Sequence, residues 1–418
     1  MVNGTLRVPG DKSVSHRALM LGTLASGRTT VRGILQAADI ESTAGVLRAL
    51  GWSVPVLGPV ITLEGAGRSA PPFTVATLDC GNSGTTARLM MGLAAGFPVT
   101  ATFTGDASLS RRPMRRVSGP LSAMGARFEA EGEREGLPLT LHGGNLHAID
   151  WTMQKASAQV KSALLLAGVT ARVAVVLREP APSRDHTERL LRAQGAAIDV
   201  GNGMIVLDPP DHLEPLDLMV PGDASSAAFF ACLAALADGG SLVIRDVGLN
   251  PGRTGFIDVL RRMGARLDIV ERDDRGAEPV GDLMVRSGHL GSTVIGAEEV
   301  PALIDELPVL ACLASRAAGE TLITGASELR VKESDRIAAV VSNLRALGVE
   351  VEERDDGMLV RGSREPQVGR IQTHGDHRLA MAFGVLAAVP GSRIEIDDPD
   401  CVNVSYPYFW RDLDAVTA

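Results

Sequence analysis

One phrase returns five times along the chain and constrains its fold more than any single motif does. It reads Leu47-Arg48-Ala49-Leu50-Gly51, Leu121-Ser122-Ala123-Met124-Gly125, Leu191-Arg192-Ala193-Gln194-Gly195, Leu260-Arg261-Arg262-Met263-Gly264 and Leu344-Arg345-Ala346-Leu347-Gly348. Each has the form of a helix C-terminus stopped by a left-handed glycine, and a following segment such as Arg266-Leu267-Asp268-Ile269-Val270 alternates like a strand. Successive glycines lie 74, 70, 69 and 84 residues apart. That spacing defines a strand-and-helix unit of roughly seventy residues.

A second echo groups the units. Val8-Pro9-Gly10-Asp11-Lys12-Ser13 returns as Val220-Pro221-Gly222-Asp223-Ala224-Ser225, 212 residues later. The expected organisation is an α/β chain of two domains with three units each, residues 10–221 forming one and residues 1–9 with 222–418 the other. Short Leu- and Gly-rich phrases also arise by coincidence, but the matched spacing and the half-chain offset favour duplication. Each Val-Pro-Gly-Asp segment ends a strand and opens a small-residue helix with Asp or Ser available as N-cap. Such helix starts attract anions through unpaired N–H groups and the positive end of the dipole. The polar stretches Gly65-Ala66-Gly67-Arg68-Ser69-Ala70-Pro71-Pro72 and Arg272-Asp273-Asp274-Arg275-Gly276 are read as chain punctuation only.

Composition narrows the class of ligand. The chain has 50 Asp and Glu against 41 Lys and Arg, and aromatic residues make up only 3% of it. A broad polyphosphate-binding surface and stacking platforms for single-stranded nucleic acid are both disfavoured. Cys80, Cys232, Cys312 and Cys401 show no Cys-x-x-Cys spacing, so neither a disulfide framework nor a zinc ribbon is expected. No stretch approaches the ~18 apolar residues of a membrane span, and a reducing cytosol is the expected location.

Within this acidic background, cations are set in short glycine- and hydroxyl-rich segments. These are Gly10 to Arg17, Gly81 to Arg88, Ser110-Arg111-Arg112-Pro113, Lys332-Glu333-Ser334-Asp335-Arg336 and His377-Arg378. Small residues let backbone N–H groups approach an anion, and Arg offers a planar fork for carboxylate or phosphate. Gly10-Asp11-Lys12-Ser13 is not a P-loop, because Asp11 intervenes between Gly and Lys. Lys12 and Arg17 either face an anion together or belong to a solvated first turn. In Gly81 to Arg88, Asn82, Gly84 and Thr85 precede an apolar helical run, which is an anion nest with an Arg one turn in. Asp305-Glu306-Leu307-Pro308 and Glu333 supply carboxylates among cations. They serve either as proton carriers or, more plainly, as an N-cap and a surface ion-pair lattice. His374 and His377 lack further ligands nearby, and no metal is expected.

Taken together, these residues resemble the 5-enolpyruvylshikimate 3-phosphate synthase family of enolpyruvyl transferases, in the family's order from Val8 to Pro407. The resemblance rests on Gly10-Asp11-Lys12-Ser13, Asn82 to Arg88, Gly105-Asp106 with Arg112-Pro113, Ser157-Ala158-Gln159, Ser183-Arg184-Asp185-His186, Asp305-Glu306, Arg330 to Arg336 and Asp376-His377-Arg378. It implies two inside-out α/β-barrel domains of three repeats, with the active site in an interdomain cleft that closes on substrate. It also implies addition of the 5-hydroxyl of shikimate 3-phosphate to C2 of phosphoenolpyruvate, followed by loss of phosphate, with no cofactor. Lys12, Ser13, Arg17, Ser157, Ala158, Gln159, Ser183, Arg184, Asp305 and Lys332 are the implied contacts of shikimate 3-phosphate. Lys12, Asn82, Gly84, Thr85, Arg88, Arg112, Gln159, Arg336, His377 and Arg378 are those of phosphoenolpyruvate. Asp305, Glu333 and Lys12 are the implied catalytic groups.

The resemblance also implies competition by glyphosate, with Gly84 leaving room for the longer ligand. Val404, His186 and Glu328 depart from some relatives, which have Lys, Tyr and Asn there. Two other readings compete with this one. The sister enzyme acting on UDP-N-acetylglucosamine has a loop cysteine that is missing near Ser108 to Pro113, and a non-catalytic anion or nucleic-acid-end binder has no need of Asp305 and Glu333. A monomer is the expected state.

Overall fold

A computed structural model of the chain describes residues 1–67, 69–130, 136–271 and 277–418. The segment Arg272 to Gly276 and Arg68, both in stretches read above as punctuation, lie outside the described residues.

The chain forms two compact units, each with its own apolar core. One comprises residues 10–220 with Ala277 and Glu278, the other residues 1–9, 221–271 and 279–418. Pro221 therefore groups with the second unit, one residue away from the boundary drawn from sequence, and Ala277 and Glu278 group with the first.

The repeat is seen in full at residues 75–142. Strands Val75–Asp79 and Thr100–Thr104 run parallel on either side of helix Gly84–Ala95. Helix Arg115–Ala123 then leads into the antiparallel strands Arg127–Ala130 and Leu139–His142, and the latter returns to pair with Thr100–Thr104. The spatial order is first, second, fourth, third strand. Residues 149–208 and 294–361 repeat this order. Among the described residues each unit holds three sheets, so the α/β class and the sixfold repeat are both present.

The first repeat of each unit takes its opening strand from a distant part of the chain. Strand Gly4–Arg7 precedes helix Lys12–Leu24 in sequence but pairs in parallel with Ser241–Gly248 of the second unit. Strand Asp217–Met219 precedes helix Ala224–Leu236 yet pairs with Ser26–Arg32 of the first. The chain thus changes units at both Val-Pro-Gly-Asp segments, which accounts for their echo. A Cβ on Gly10 would lie 2.0 Å from Gly33 O, and one on Gly222 would lie 2.9 Å from Val8 Cγ2, so both crossings require glycine.

Two kinds of helix result. The helix after the first strand of each repeat is buried nearly all round; in Ala224–Leu236, which is also apolar nearly throughout, every residue from Ala224 to Ala235 is inside. The second helix is amphipathic, as in Gly255–Arg262, which buries Phe256, Ile257, Val259 and Leu260 only. Close approach of the buried helices depends on small residues. A Cβ on Gly92 would fall 2.1 Å from Ala163 O of helix Ala158–Ala171.

The recurring phrase is a joint between the second helix and the strand that follows. Gly51, Gly125, Gly195, Gly264 and Gly348 all have positive φ, between 80° and 115°. Its arginine closes the joint by donating to a main-chain carbonyl six residues on: Arg48 to Val54 (2.8 Å), Arg192 to Ile198 (3.1 Å), Arg261 to Leu267 (3.1 Å) and Arg345 to Val351 (3.2 Å). Ser122 replaces the arginine in the second repeat. The sequence expectation fails at one joint, since no strand follows Gly51 until Val60–Ala66. There Pro55 and Pro59 remove ladder donors, and Arg48 takes the Val54 and Pro55 carbonyls.

Two glycines separate these backbone roles experimentally. Gly264 has φ +101° and its Cβ would meet His289 O at 2.5 Å, whereas Gly45 lies within helix Ala38–Ala49 with open space around it. Gly264→Ala is expected to cost about 1–3 kcal/mol in urea denaturation. Gly45→Ala should instead add about 0.5–1 kcal/mol.

Candidate active site

In the first unit the buried helices start at capped, polar residues. Asp11 Oδ1 accepts from Val14 N at 2.9 Å, Ser83 Oγ from Thr86 N at 3.2 Å and Ser157 Oγ from Val160 N at 3.5 Å. A hydroxyl relay joins two of these ends: His16 Nδ1 meets Thr43 Oγ1 at 2.7 Å, Thr43 meets Thr86 Oγ1 at 2.7 Å, and Thr86 donates to Ser83 Oγ at 2.8 Å. Burial, with help from the charges of Lys12 and Arg17, holds His16 well below the usual imidazole range, so it is neutral in this relay.

Lys12, at the first turn, sits 2.9 Å from Asp39 Oδ2. Arg17, one turn further in, is 3% exposed and donates to Thr187 Oγ1 (2.6 Å), Ser162 Oγ (2.7 Å) and the carbonyl of Ser13 (2.9 Å). Burial pulls its guanidinium down to about 10, against the opposing charges of Glu188 and Asp11, and the charge of Arg184 acts in the same direction as burial. Ser183 and Arg184 lie in the loop before helix His186–Ala193, and the Ser183 hydroxyl donates to Glu179.

Two further arginines converge on Gly84. Arg88 Nη1 donates to Gln159 Oε1 at 2.7 Å, and Gln159 Nε2 donates to Thr85 Oγ1 at 3.0 Å. Arg112 Nη2 donates to Asn82 Oδ1 at 2.7 Å, while Asn82 Nδ2 donates to Asp106 Oδ2 at 2.5 Å. A Cβ on Gly84 would lie 3.1 Å from Arg88 Nη1 and 3.3 Å from Arg112 Nη1. Both guanidinium tips therefore flank the Cβ-free first residue of a helix, a geometry suited to a small anion.

The second unit gathers the remaining charged residues around Arg336. This side chain is buried, and donates through Nε to Asp376 Oδ2 (2.7 Å), through Nη1 to Asp305 Oδ1 (3.2 Å) and through Nη2 to Glu333 Oε2 (2.7 Å). Lys332 Nζ donates to the same Asp305 oxygen at 3.2 Å, and Arg378 Nη1 donates to the Asp305 carbonyl at 3.0 Å. Burial works against the Arg336 charge, but Asp376, Glu333 and Asp305 overcome it and hold the guanidinium above its ordinary value. Burial likewise opposes ionisation of Asp376, and Arg336 reverses the balance so that its carboxyl titrates below the usual range. Asp376 also caps helix His377–Ala387, so it is committed to structure and not to a metal. Among the described residues no three His, Cys, Asp or Glu side chains are grouped as for a metal ion.

The predicted residues thus fall into one cluster in each unit. Of the three departures from relatives, His186 is buried with Nδ1 2.6 Å from Glu278 Oε1, Glu328 lies in the 3-10 helix Ser327–Val331, and Val404 ends the 3-10 helix Pro399–Val404. Sequence reasoning did not single out Asp39, Ser162, Glu179 or Thr187, and it quoted Glu306 and Asp376 within motifs without giving either a role of its own. Asp39, Glu306 and Asp376 carried a local signal, each as an acidic residue at a helix start.

The family model for EPSP synthase (3-phosphoshikimate 1-carboxyvinyltransferase) matches residues 1–413. This chain belongs to the EPSP synthase family. Among its relatives, the 3-phosphoshikimate 1-carboxyvinyltransferase of Alkalilimnicola ehrlichii is 49% identical over 412 residues, covering 98% of this chain and 92% of that one. The Bacillus velezensis protein of the same name is 44% identical over 414 residues, covering 99% and 97%. The solved EPSP synthase from Acinetobacter baumannii superposes with a TM-score of 0.85 at 39% identity, covering 99% of this chain and 96% of its own. The enolpyruvyl transferase NikO from Streptomyces tendae, at 19% identity and a TM-score of 0.77, shares the fold. The six-sheet arrangement seen here is therefore that of an EPSP synthase family member.

The Arg336–Asp376 pair makes a testable contribution to stability. Because the folded-state pKa of Asp376 is depressed, its stabilisation is present above the ordinary carboxylate pKa of about 4 and disappears as pH falls through the folded value. Asp376→Asn is expected to cost about 3–5 kcal/mol at pH 7, as for other broken buried pairs. The difference from wild type should shrink in urea titrations taken stepwise below pH 4.

Proposed function

We propose that this chain transfers the enolpyruvyl group of phosphoenolpyruvate to the 5-hydroxyl of shikimate 3-phosphate and releases phosphate, the activity for which its relatives are named. The observation that carries the reading is the Asp305, Lys332, Glu333 and Arg336 cluster in a chain of this family. Two polyanions have to be brought together, and their repulsion has to be offset by cations.

In this scheme Lys12, Ser13, Arg17, Ser157, Ala158, Gln159, Ser183, Arg184 and Lys332 hold shikimate 3-phosphate. Phosphoenolpyruvate is held by Asn82, Gly84, Thr85, Arg88, Arg112, Gln159, Arg336, His377 and Arg378, together with Lys12. Asp305 removes the proton from the 5-hydroxyl as its oxygen bonds to C2 of the enol. Glu333, with Lys12, delivers a proton to C3, giving a tetrahedral intermediate. Glu333, with Lys12, then takes a proton back from the C3 methyl, and the double bond re-forms as the C2–O bond to phosphate breaks and phosphate leaves. The ion pairs seen here, Lys12 with Asp39 and Arg336 with three carboxylates, keep these cations positioned before the substrate anions compete for them. In this scheme the protein works as a monomer.

Phosphate release measured with phosphoenolpyruvate and shikimate 3-phosphate, UDP-N-acetylglucosamine or RNA decides among the readings weighed from sequence. Release with shikimate 3-phosphate alone is expected. Asp305→Asn should lower kcat at least ~100-fold, the scale of a lost general base, while shikimate 3-phosphate still binds. Turnover close to wild type would remove Asp305 from the mechanism.

Gly84 sets the space between the two guanidinium tips, so Gly84→Ala displaces both by a few tenths of an ångström. The expected result is a moderate rise in KM for phosphoenolpyruvate and a larger, ~10-fold or greater, rise in the inhibition constant of the longer glyphosate. Equal inhibition of both proteins at matched phosphoenolpyruvate saturation would show that Gly84 does not limit that space.

A further inference from the structure

Behind the loop carrying Ser183 and Arg184 lies a buried ion group that the scheme above leaves unused. Lys161 is 1% exposed, and its Nζ donates to Glu179 Oε2 at 2.9 Å and to the main-chain carbonyl of Ser183 at 3.2 Å. The same ammonium lies 2.7 Å from Glu188 Oε1. Glu179 in turn accepts from the Ser183 hydroxyl. One cation therefore fixes both ends of residues 179–183 and, through Glu188, the first turn of helix His186–Ala193.

The residue type is informative. Around Lys161, helix Ala158–Ala171 buries Val160, Ala163, Leu164, Leu165, Leu166 and Ala167. A hydrocarbon side chain at this place would stabilise the helix at least as well, because desolvating an ammonium and two carboxylates consumes most of their mutual attraction. What the lysine supplies is fixed geometry and charge balance. Without it, Glu179 and Glu188 would stand as anions beside the loop proposed to receive a phosphate. Burial already raises the Glu188 carboxyl above its usual value, with Lys161 opposing the rise.

A second rung joins the same two helices. Thr187 Oγ1 donates to Ser162 Oγ at 2.7 Å, and Arg17 donates to both hydroxyls. Lys161 with Glu188 and Ser162 with Thr187 are thus adjacent cross-links, and Arg17, Ser183 and Arg184 share one support.

We propose that Lys161 is a positioning residue for the phosphate end of shikimate 3-phosphate, holding residues 179–188 so that Ser183, Arg184 and Arg17 meet that group together. The inference rests on the substrate assignment above and adds a residue that need not touch the substrate.

The test compares wild type with Lys161→Met, Lys161→Arg and Glu179→Gln by steady-state kinetics and by calorimetric titration with shikimate 3-phosphate and with shikimate, which lacks the phosphate. Lys161→Met is expected to raise KM and Kd for shikimate 3-phosphate at least ~10-fold, while kcat, KM for phosphoenolpyruvate and Kd for shikimate stay within ~2-fold. Lys161→Arg should restore most of the loss. Glu179→Gln keeps the Lys161–Glu188 pair and hence the fold, and should show the same selective loss at ~3-fold or more; it decides the matter if Lys161→Met does not fold. Equal weakening of both ligands, or an unchanged KM for shikimate 3-phosphate in a folded variant, overturns the proposal. A wild type that neither binds shikimate 3-phosphate nor turns it over overturns the substrate assignment and this inference with it. An active wild type with indifferent variants overturns this inference alone.

Discussion

A helix that is apolar on every side has to be buried, yet its first N–H groups have no partner within the helix. That conflict recurs along this fold, because repeat after repeat places such a helix behind its first strand. Side-chain caps answer part of it: Asp11, Ser83, Ser157, Asp223 and Asp376 each accept from an N–H two or three residues on. The donors that remain, and the positive end of the helix dipole, favour an anion. The need to bury Leu- and Ala-rich helices thus produces, as a by-product of packing, a set of starts suited to phosphate and carboxylate.

Turning such starts into a site requires cations, and in a packed interior each cation needs its own counter-charge. Arg336 shows the arrangement at its most complete, with carboxylates of Asp305, Glu333 and Asp376 on one guanidinium. Arg17 shows the opposite choice, since its close hydrogen-bond partners are hydroxyls and a carbonyl, and burial draws its pKa down to about 10 against the charges of Glu188, Asp11 and Glu278. An anionic ligand gains more by approaching a cation partnered by neutral groups than one already neutralised by carboxylates. The two clusters thus differ in how their cations are held: Arg17 among hydroxyls and a carbonyl in the first unit, Arg336 among three carboxylates in the second.

Much of this was legible in the sequence because it depends on short-range rules. The left-handed glycines of the recurring phrase have no substitute at their φ values, so they stand out at each joint, and the arginine before them reaches only six residues. The Val-Pro-Gly-Asp echo lies where the chain changes units, and at both crossings a Cβ on the glycine would meet a crowded neighbour, Gly33 O at 2.0 Å for Gly10 and Val8 Cγ2 at 2.9 Å for Gly222. What was not legible is what the fold assembles from afar. Thr187 reaches Arg17 across 170 residues and Asp39 reaches Lys12 across 27, and neither has a periodicity or local motif to announce it. The missing strand after Gly51 was a local failure instead, where Pro55 and Pro59 outweighed the alternation of buried Trp52 and Val54.

The duplicated segments show how one backbone solution acquires two meanings. Asp11-Lys12-Ser13 and Asp223-Ala224-Ser225 begin corresponding helices, and both aspartates cap them. In the first unit the next residue is a lysine paired with Asp39, and the proposed substrate contacts follow from it. In the second that residue is Ala224, and the polar groups turn inward: Arg253 Nη2 donates to Asp223 at 2.8 Å and to Ser225 at 3.0 Å, while the Ser225 hydroxyl donates to Glu306. Glu306 lies 3.7 Å from Arg378 and is the immediate neighbour of Asp305. The copy without the lysine thus braces the helix start that presents the carboxylate and its arginine. The same capped helix start occurs twice, with a lysine paired to Asp39 at one and, at the other, polar groups joined to Arg253 and Glu306.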